Sequence, residues 1–536
     1  MTDEHRGDLR WGTIPRLVED AADRFGDAGA VVDGDERITF TDLAGRVDLA
    51  ARAVASRGVG PGDRVAIWAP NVWEWIVAAL GSVRAGASLV PINTRFKGGE
   101  AAYILGKSGA KLLFTVTGFL GADYDGMLRA EGVDLETVTL RGDTPSGTSS
   151  WDDVISEGAL DVSPPSDPDA VADVIFTSGT TGRPKGVMTT HAQSLRVFET
   201  WSRTVGLRDG DRYLIVNPFF HTFGYKAGIL ACLMRGATIY PQAVFDAGEA
   251  MRRIAEHRIT VLPGPPTLYQ TILDHPDRDA YDLSSLRLAV TGAAIVPVRL
   301  IERMRDELTF ETILTAYGLT ESTGTATMCR PGDDPETIAT TSGCAIQDTE
   351  VRVVDEDGRP PSPGQPGEVV VRGYNVMKGY LEDPAATAET IDADGWLHTG
   401  DIGVMDERGY VRITDRKKDM FIVGGFNVYP AEVENELLRH PAVAQAAVVG
   451  APDDRLGEVG VAFVVPRPGM TVDADELVAW TKERIANFKV PRRVIVVDAL
   501  PLNASGKVLK YELRKTVATQ GSSRGELAPS GESLQR

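Results

Sequence analysis

The residues Thr177-Ser178-Gly179-Thr180-Thr181-Gly182-Arg183-Pro184-Lys185-Gly186 bring hydroxyls, three glycines and two cations into ten consecutive positions. Glycines let a backbone approach a ligand closely, and convergent N–H groups form an anion-binding concavity. The stretch therefore reads as a phosphate cradle. No Gly-Lys-Ser/Thr follows its first glycine at the Walker A spacing, so a use of ATP other than kinase-like NTPase chemistry is implied. The remaining chemistry-bearing residues are ambiguous one at a time. His221 sits among aromatics in Asn217-Pro218-Phe219-Phe220-His221-Thr222-Phe223-Gly224, a setting in which a histidine is more often packed and hydrogen-bonded than functional. Ala316-Tyr317-Gly318-Leu319-Thr320-Glu321 offers an aromatic face, a hydroxyl and a carboxylate in succession, or an ordinary turn. Asp401 beside Gly400 has the commoner use of a turn aspartate. Asp415-Arg416-Lys417-Lys418-Asp419-Met420 reads as a solvated face, and Lys507 as a surface lysine.

The elements that must position these residues are legible in the periodicity. Residues 171–176 are an apolar run expected to be a buried strand, with the cradle hanging from its end. Residues 13–30 and 41–57 carry apolar positions at helical spacing, 64–68 and 88–92 look like short buried strands, and 73–84 like a helix. Residues 121–169 show weaker periodicity and gather Gly, Ser, Asp and Pro toward their end, which reads as peripheral connection. Further strands are expected at 212–216, 260–262, 286–290 and 312–314. The first ends in the aromatic-histidine stretch. The next two end in Pro263-Gly264-Pro265-Pro266 and Thr291-Gly292-Ala293-Ala294, where small residues let a flat ligand lie against backbone. From 351 to 415 the texture is β-rich with Pro/Gly turns. The expected fold class is α/β: a large N-terminal domain over residues 1–417, of sheets flanked by helices plus a β-rich subdomain, and a small C-terminal α/β domain over 418–516. Within the small domain, helices are expected at 431–439 and 474–485 and strands at 443–449, 459–465 and 494–497. Residues 517–536, rich in Gly, Ser, Glu and Pro, are expected to form a disordered tail.

Composition narrows the function. A chain of 536 residues exceeds what one core serves, so at least two domains are expected. A formal charge of −20 argues against a nucleic-acid surface, and any polyphosphate must be held by local cations and backbone donors. Three cysteines, Cys232, Cys329 and Cys344, show no Cys-x-x-Cys and no metal-ligand spacing, which argues against a disulfide framework or structural zinc and fits a reducing compartment. The start lacks the apolar core of a signal peptide, and no stretch reaches ~18 uncharged apolar residues. A soluble, cytoplasmic protein without a membrane span is expected.

Taken together, the motifs resemble the adenylate-forming superfamily of acyl-CoA synthetases, carrier-loading adenylation domains and firefly-type luciferases, over essentially residues 10–515. The cradle matches that family's phosphate loop. The other hallmarks follow in order: the stretch around His221, Gly292-Ala293-Ala294, Tyr317 to Glu321, Thr399-Gly400-Asp401, Asp415-Arg416, Gly424-Gly425, and Pro501 to Lys507. Seven motifs in the right order reverse the bland readings of those residues. In Thr341-Ser342-Gly343-Cys344-Ala345 many relatives have proline where this chain has Ala345, a departure that bears on the wall of the acyl pocket. Residues 217–236, 257–267, 281–298 and 420–433 look more particularly like the actinobacterial CoA ligases of steroid degradation. Those act on the bicyclic indanedione propanoate left after the sterol A and B rings are removed.

The resemblance implies an enzyme, an AMP-forming acid–thiol ligase, with ATP, Mg²⁺ and CoA as cofactors and co-substrate. It assigns transition-state charge stabilisation to Lys507, Mg²⁺ to Glu321, and an α-phosphate contact to Thr320. Thr177, Ser178, Gly179, Thr180, Thr181, Gly182 and Lys185 hold the β/γ-phosphates. Tyr317 stacks on adenine against Gly292, Ala293 and Ala294, while Asp401 accepts the ribose hydroxyls with Arg416 beside it. His221 places the carboxylate and does no general-base work. Phe219, Phe223, Tyr225, Gly264, Gly318 and Gly343 line the acyl pocket; no charged residue there evidently awaits a second carboxylate, although Lys226 is close enough in sequence to be tested for it. Gly424 and Gly425 line the CoA path, and Lys418 is the hinge about which the small domain rotates between half-reactions. The alternatives are a ligase for medium-chain fatty or aryl acids, a carrier-loading adenylation module, disfavoured because only about twenty low-complexity residues follow the fold, and a nucleotide-binding regulator without catalysis. Partners are the small carboxylic acid, ATP and CoA, with no nucleic acid; a homodimer stays open.

Overall fold

Strands of a parallel sheet covered on both faces must be apolar at nearly every position. Arg64–Trp68, Ser88–Pro91 and Leu112–Val116 meet that demand. They pair in parallel, and Val65, Ile67, Leu89, Val90, Leu113 and Phe114 have no exposed surface. The structure, a computed structural model, describes residues 6–522 apart from 157–159, 178–183, 293–295, 356, 363, 417–418, 424–425, 454, 486 and 503–507, and apart from the side chains at 415, 416, 426, 427 and 518–522. The chain divides into two compact units. The first is Met1–Arg352, Val370–Thr399 and Met405–Arg412; the second is Val353–Val369, Gly400–Val404 and Ile413–Arg536. The crossings fall inside four strands, Thr349–Val354, Gly367–Gly373, Leu397–Met405 and Val411–Arg416.

In the first unit those parallel strands lie inside an eight-stranded sheet. Its order is Gly379–Tyr380, Lys185–Thr190, Val171–Thr177, Ser88–Pro91, Arg64–Trp68, Leu112–Val116, Glu136–Arg141 and Ser149–Ser150. Residues 121–169 are thus more than connection: Glu136–Arg141 extends the sheet in parallel and buries Val138 and Leu140. Only Val138 and Leu140 of its six residues are large and apolar, so the run does not stand out in the sequence, and the neighbouring strand decides it. A second set of strands, Arg212–Ile215, Thr238–Pro241, Gly29–Asp33 and Glu36–Thr39, is joined to a third, Leu288–Gly292, Thr312–Tyr317, Thr327–Met328 and Cys344–Ala345, at one residue. That residue is Val261, bridged to Tyr213 and to Leu288, where a strand over 260–262 is expected from sequence.

Helices pack on these sheets by their apolar stripes. Phe40–Ser56 begins at a capping box in which Thr39 and Asp42 bond each other's backbone N–H, and it buries Leu43, Val47, Ala50, Ala51 and Val54 at helical spacing. Trp73–Arg84 is buried on almost every side, as its all-round apolar sequence requires. The two approach so closely that a Cβ on Gly81 would lie 2.5 Å from that of Ala50. The first helical stretch ends at Phe25, earlier than its pattern suggests, because Gly29–Asp33 turns to strand.

The second unit has its own five-stranded sheet with a core on each face. Alternation along Gly457–Pro466 sends Ala462 and Val464 to Val433, Leu437 and Leu477, and Val461 and Phe463 to Leu500, Leu513 and Val517. The terminal helix, Lys510–Ser522, carries the last of these. Disorder is therefore corrected for 517–522, which burial of Val517 against that sheet keeps helical, an effect that average composition does not register; 523–536 lie outside the described residues. Among the described residues no helix is long and apolar enough to cross a membrane.

His191, the first residue of helix His191–Thr204, is 3% exposed, and its Nδ1 accepts from Ile14 N at 3.3 Å. Burial lowers its pKa from 6.5 to about 4. A folded-state value below the unfolded one means that the unfolded chain binds the extra proton first. The stabilisation is complete above pH 6.5 and is lost as pH falls toward 4, by up to about 3 kcal/mol. The variant His191→Asn, which keeps an acceptor without a titrating ring, should flatten the difference between denaturant midpoints at pH 7 and pH 5. An unchanged difference would assign that pH dependence to other groups.

Candidate active site

Strands Val171–Thr177 and Lys185–Thr190 form an antiparallel hairpin in which Thr177 lies opposite Lys185. The ladder thus holds both flanks of the phosphate cradle; Ser178, Gly179, Thr180, Thr181, Gly182 and Arg183 lie outside the described residues. Thr177 Oγ1 donates to Glu321 Oε1 at 3.3 Å, and the Tyr380 hydroxyl donates to the same oxygen at 3.0 Å. Lys185 Nζ lies 4.9 Å from the centre of the Tyr380 ring, a cation–π distance. Burial, with Glu321 next, pushes the Tyr380 phenol pKa up, so the group stays a donor.

Glu321 is presented by a single 3₁₀ turn, Thr320–Ser322, directly after the strand Thr312–Tyr317. Ser322 Oγ accepts from Leu319 N at 2.9 Å and caps the turn. A second stretch laces it in place. Met377 N donates to the Glu321 carbonyl at 2.8 Å, Thr323 Oγ1 to the Asn375 carbonyl at 2.8 Å, and Asn375 Nδ2 to the Thr325 carbonyl at 3.0 Å. Gly292 is the strand partner of Ala316, and a Cβ there would lie 2.7 Å from the Ala316 carbonyl oxygen. Glycine lets the two strand ends converge beside Tyr317, whose half-buried ring packs on Ala326 and Val371. Ala293 and Ala294 lie outside the described residues.

His221 caps the short helix Thr222–Gly224, and its Nδ1 accepts from Phe223 N at 3.2 Å. In the neutral ring that bond leaves the proton on Nε2, as a donor. The residue is exposed, and desolvation by the protein around it lowers its pKa and keeps it neutral near pH 7. Asn71 fixes the approach to it. Asn71 Nδ2 donates to the carbonyls of Ile215 and Asn217, and Oδ1 accepts from Phe219 N at 2.8 Å. Thr222 packs at the position a Cβ on Gly324 would take, 2.3 Å from its methyl, which brings the His221 turn against the segment bearing Glu321.

The residues expected in an acyl pocket separate into two groups. Phe223 is half-buried beside His221, whereas Phe219 and Tyr225 have no exposed surface and pack on Trp75 at ring distances of 5.2 and 5.8 Å. Gly264, Gly318 and Gly343 are close approaches: a Cβ would lie 2.7 Å from Leu268 Cδ1, 2.4 Å from the Gly324 oxygen and 1.8 Å from the Met328 carbonyl carbon. Lys226 does not wait for a second carboxylate. Its Nζ is 3.0 Å from Asp173 Oδ2, and both side chains are buried, so a carboxylate of the chain itself already neutralises it.

Asp401 lies in the second unit, 2% exposed, within the strand Leu397–Met405 rather than in a turn. The preceding Gly400, at φ +68°, donates its N–H to Glu368 Oε1 at 3.1 Å. Arg416 ends the strand Val411–Arg416. Its side chain, and Lys418, Gly424, Gly425 and Lys507, lie outside the described residues. The site residues missed in the sequence are Tyr380, Asn71 and Asn375. Tyr380 is 59 positions from Glu321, and no local pattern links them.

The family model described as AMP-binding enzyme matches residues 18–381, and the one described as AMP-binding enzyme C-terminal domain matches residues 432–507. The chain is 54% identical over 517 residues to the 7a-methyl-1,5-dioxo-octahydro-1H-inden-4-yl propanoyl:CoA ligase of Rhodococcus jostii, covering 94% of this chain and 98% of the relative. The ligase of the same name from Mycobacterium tuberculosis is 53% identical over 519 residues, with 95% and 99% covered. Among solved structures, the anthranilate CoA ligase AuaEII in complex with anthranoyl-AMP matches with a TM-score of 0.88 at 28% identity, over 95% of this chain and 98% of that one.

Gly343, at φ +77° and with its carbonyl accepting from Val411 N at 2.9 Å, admits no Cβ. Gly343→Ala combines a left-handed backbone with direct overlap and should cost at least about 2 kcal/mol. The expected result is a melting temperature lowered by several degrees; an unchanged one would contradict the close packing of this segment on Met328.

Proposed function

The chain belongs to the AMP-binding enzyme family and is an AMP-forming acyl-CoA synthetase; from that premise we propose that its acid is the bicyclic indanedione propanoate named for its relatives at 54% and 53% identity. The observation that carries the choice of acid is identity above one half maintained over nearly the whole chain. A carboxylate is a poor electrophile, so the acid oxygen first attacks the α-phosphorus of ATP, pyrophosphate leaves, and an acyl-adenylate forms. The thiol of CoA then attacks the acyl carbon and AMP leaves. Between them the residues must position three anionic reactants and offset the charge that develops on phosphorus.

In this scheme the hairpin flank residues Thr177 and Lys185, with the cradle between them, clamp the β/γ-phosphates. Neutral His221 donates from Nε2 to the acid carboxylate and holds it beside Phe223. The Glu321 carboxylate, oriented by Thr177 and Tyr380, suits Mg²⁺, since hard cations take oxygen ligands; the ion, when bound, neutralises phosphate charge. Thr320 contacts the α-phosphate, Tyr317 stacks on adenine at the Gly292 turn, and Asp401 with Arg416 takes the ribose hydroxyls. Lys507 stabilises the pentavalent phosphorus in the first half-reaction and is replaced, after rotation of the C-terminal domain about Lys418, by Gly424 and Gly425 on the CoA path. The cytoplasm, where ATP and CoA are abundant, is its place of action.

An acid panel tests the proposal. Indanedione propanoate should exceed octanoate on the order of 10²-fold in kcat/KM, measured first as acid-dependent pyrophosphate release and then as thioester. A preference for octanoate would overturn the choice of acid. Lys507→Ala should lower pyrophosphate release by about 10²–10³-fold while sparing thioester formation from supplied acyl-adenylate; equal loss of both steps would remove the domain-rotation scheme.

A further inference from the structure

The phosphate-loop hairpin carries three rungs on one face. Thr177 lies opposite Lys185, Ile175 opposite Val187, and Asp173 opposite Thr189, and alternate strand residues share a face. The upper rung meets Glu321 and Tyr380. The lowest rung lies about 13 Å further down, four residues at roughly 3.3 Å each. There Thr189 Oγ1 donates to Asp173 Oδ1 at 2.6 Å, Lys226 Nζ donates to Thr189 Oγ1 at 2.6 Å, and Lys226 Nζ pairs with Asp173 Oδ2 at 3.0 Å. The Asp173 and Lys226 side chains are 0% and 1% exposed. Lys226 stands five residues after His221, in the π-helical stretch Tyr225–Leu230. The turn between them is compressed: a Cβ on Gly224 would lie 2.2 Å from the Pro218 carbonyl oxygen.

None of these three polar residues is needed to bind phosphate, ribose, adenine or acid. Removing two charges from water costs several kcal/mol per ion, and a buried pair contributes little net stability; its best-attested use is to specify register. The register here is that of the helix begun by His221 on the hairpin whose far end holds the cradle. We propose that Lys226, acting through Asp173 and Thr189, is a positioning residue for adenylation: it sets the separation between the element that places the acid carboxylate and the element that clamps the departing phosphates. The inference rests on the indanedione propanoate as the acid. It also confines the effect to one half-reaction. Once pyrophosphate has left, the clamp has no remaining task, so transfer from acyl-adenylate to CoA is indifferent to the tie.

The test uses the full chain, the indanedione propanoate and its acyl-adenylate. The double variant Asp173→Asn/Lys226→Met removes the ionic tie without leaving a lone buried charge, and should melt within a few degrees of the parent. Acid-dependent pyrophosphate release should fall on the order of 10-fold to 10²-fold, the scale of an ångström-level misplacement, whereas thioester formation from supplied acyl-adenylate stays within about twofold of the parent. Thr189→Val, which removes only the bridging hydroxyl, serves if the double variant does not fold, and should show a smaller loss with the same selectivity. Parental pyrophosphate release in the variants, or equal loss in both half-reactions, would overturn the positioning role. Absence of pyrophosphate release with the indanedione propanoate in the unmodified protein would instead overturn the choice of acid on which it rests.

Discussion

One carboxylate oxygen, Glu321 Oε1, joins three segments that are distant in the chain. It accepts from Thr177 at the tip of the hairpin and from Tyr380 in the short strand that edges the same sheet, while the Glu321 backbone is held by Met377. The site depends on this junction because the chain as a whole repels its substrate. With a formal charge of −20, long-range attraction for a polyphosphate is absent, and binding must come from donors and cations fixed at short range. A carboxylate in that position is tolerable only if its orientation is fixed. Two hydroxyl donors supply the restraint, and Lys185 over the Tyr380 ring sets a cation close to it.

The same economy of charge recurs in the interior of the first unit. Glu199, 2% exposed, is paired with Arg203 and Arg235, and Asp211 with Arg287. Asp173 with Lys226 is the most buried of these pairs. Apart from Glu199–Arg203, which lies within one helix, each joins segments that local propensity leaves unrelated, and the burial of its carboxylate keeps solvent from weakening it much. Apolar packing supplies the bulk of the stabilisation, at about 1.5–3 kcal/mol for each fully buried large side chain, but it is non-directional. Charged and hydrogen-bonded ties select one register among several that would bury similar area.

The second unit reaches order by a different route. Its sheet is short of residues for one large core and instead alternates side chains into two small ones, each closed by helices. Glu434, 7% exposed, accepts from Val448 N at 2.7 Å and pairs with Lys510 at 2.8 Å, which ties the helix Pro430–Leu438 to a strand and to the terminal helix. The part of this unit from Phe421 onward packs on cores of its own, as the proposed rotation of a small domain would require.

The sequence alone determined what depends on local pattern. The helix Trp73–Arg84 and the strand Arg64–Trp68 coincide with their apolar periodicities, because burial on one stripe or on both faces leaves a direct imprint on residue order. The ordered motifs identified the family, since phosphate, adenine and ribose each demand particular residue types. Tertiary structure decided what depends on residues meeting across the chain. Tyr380 and Asn71 carry no motif, and their partners are 59 and 144 to 148 positions away. Lys226, next to the aromatic stretch in sequence, turned out to face Asp173 and not the acid, because the register of a π-helical segment, which periodicity does not specify, points it inward. Asp401, turn-like beside a glycine, became a buried strand residue for a similar reason: pairing with neighbouring strands overrode a local preference worth only a fraction of a kcal/mol to about 1 kcal/mol.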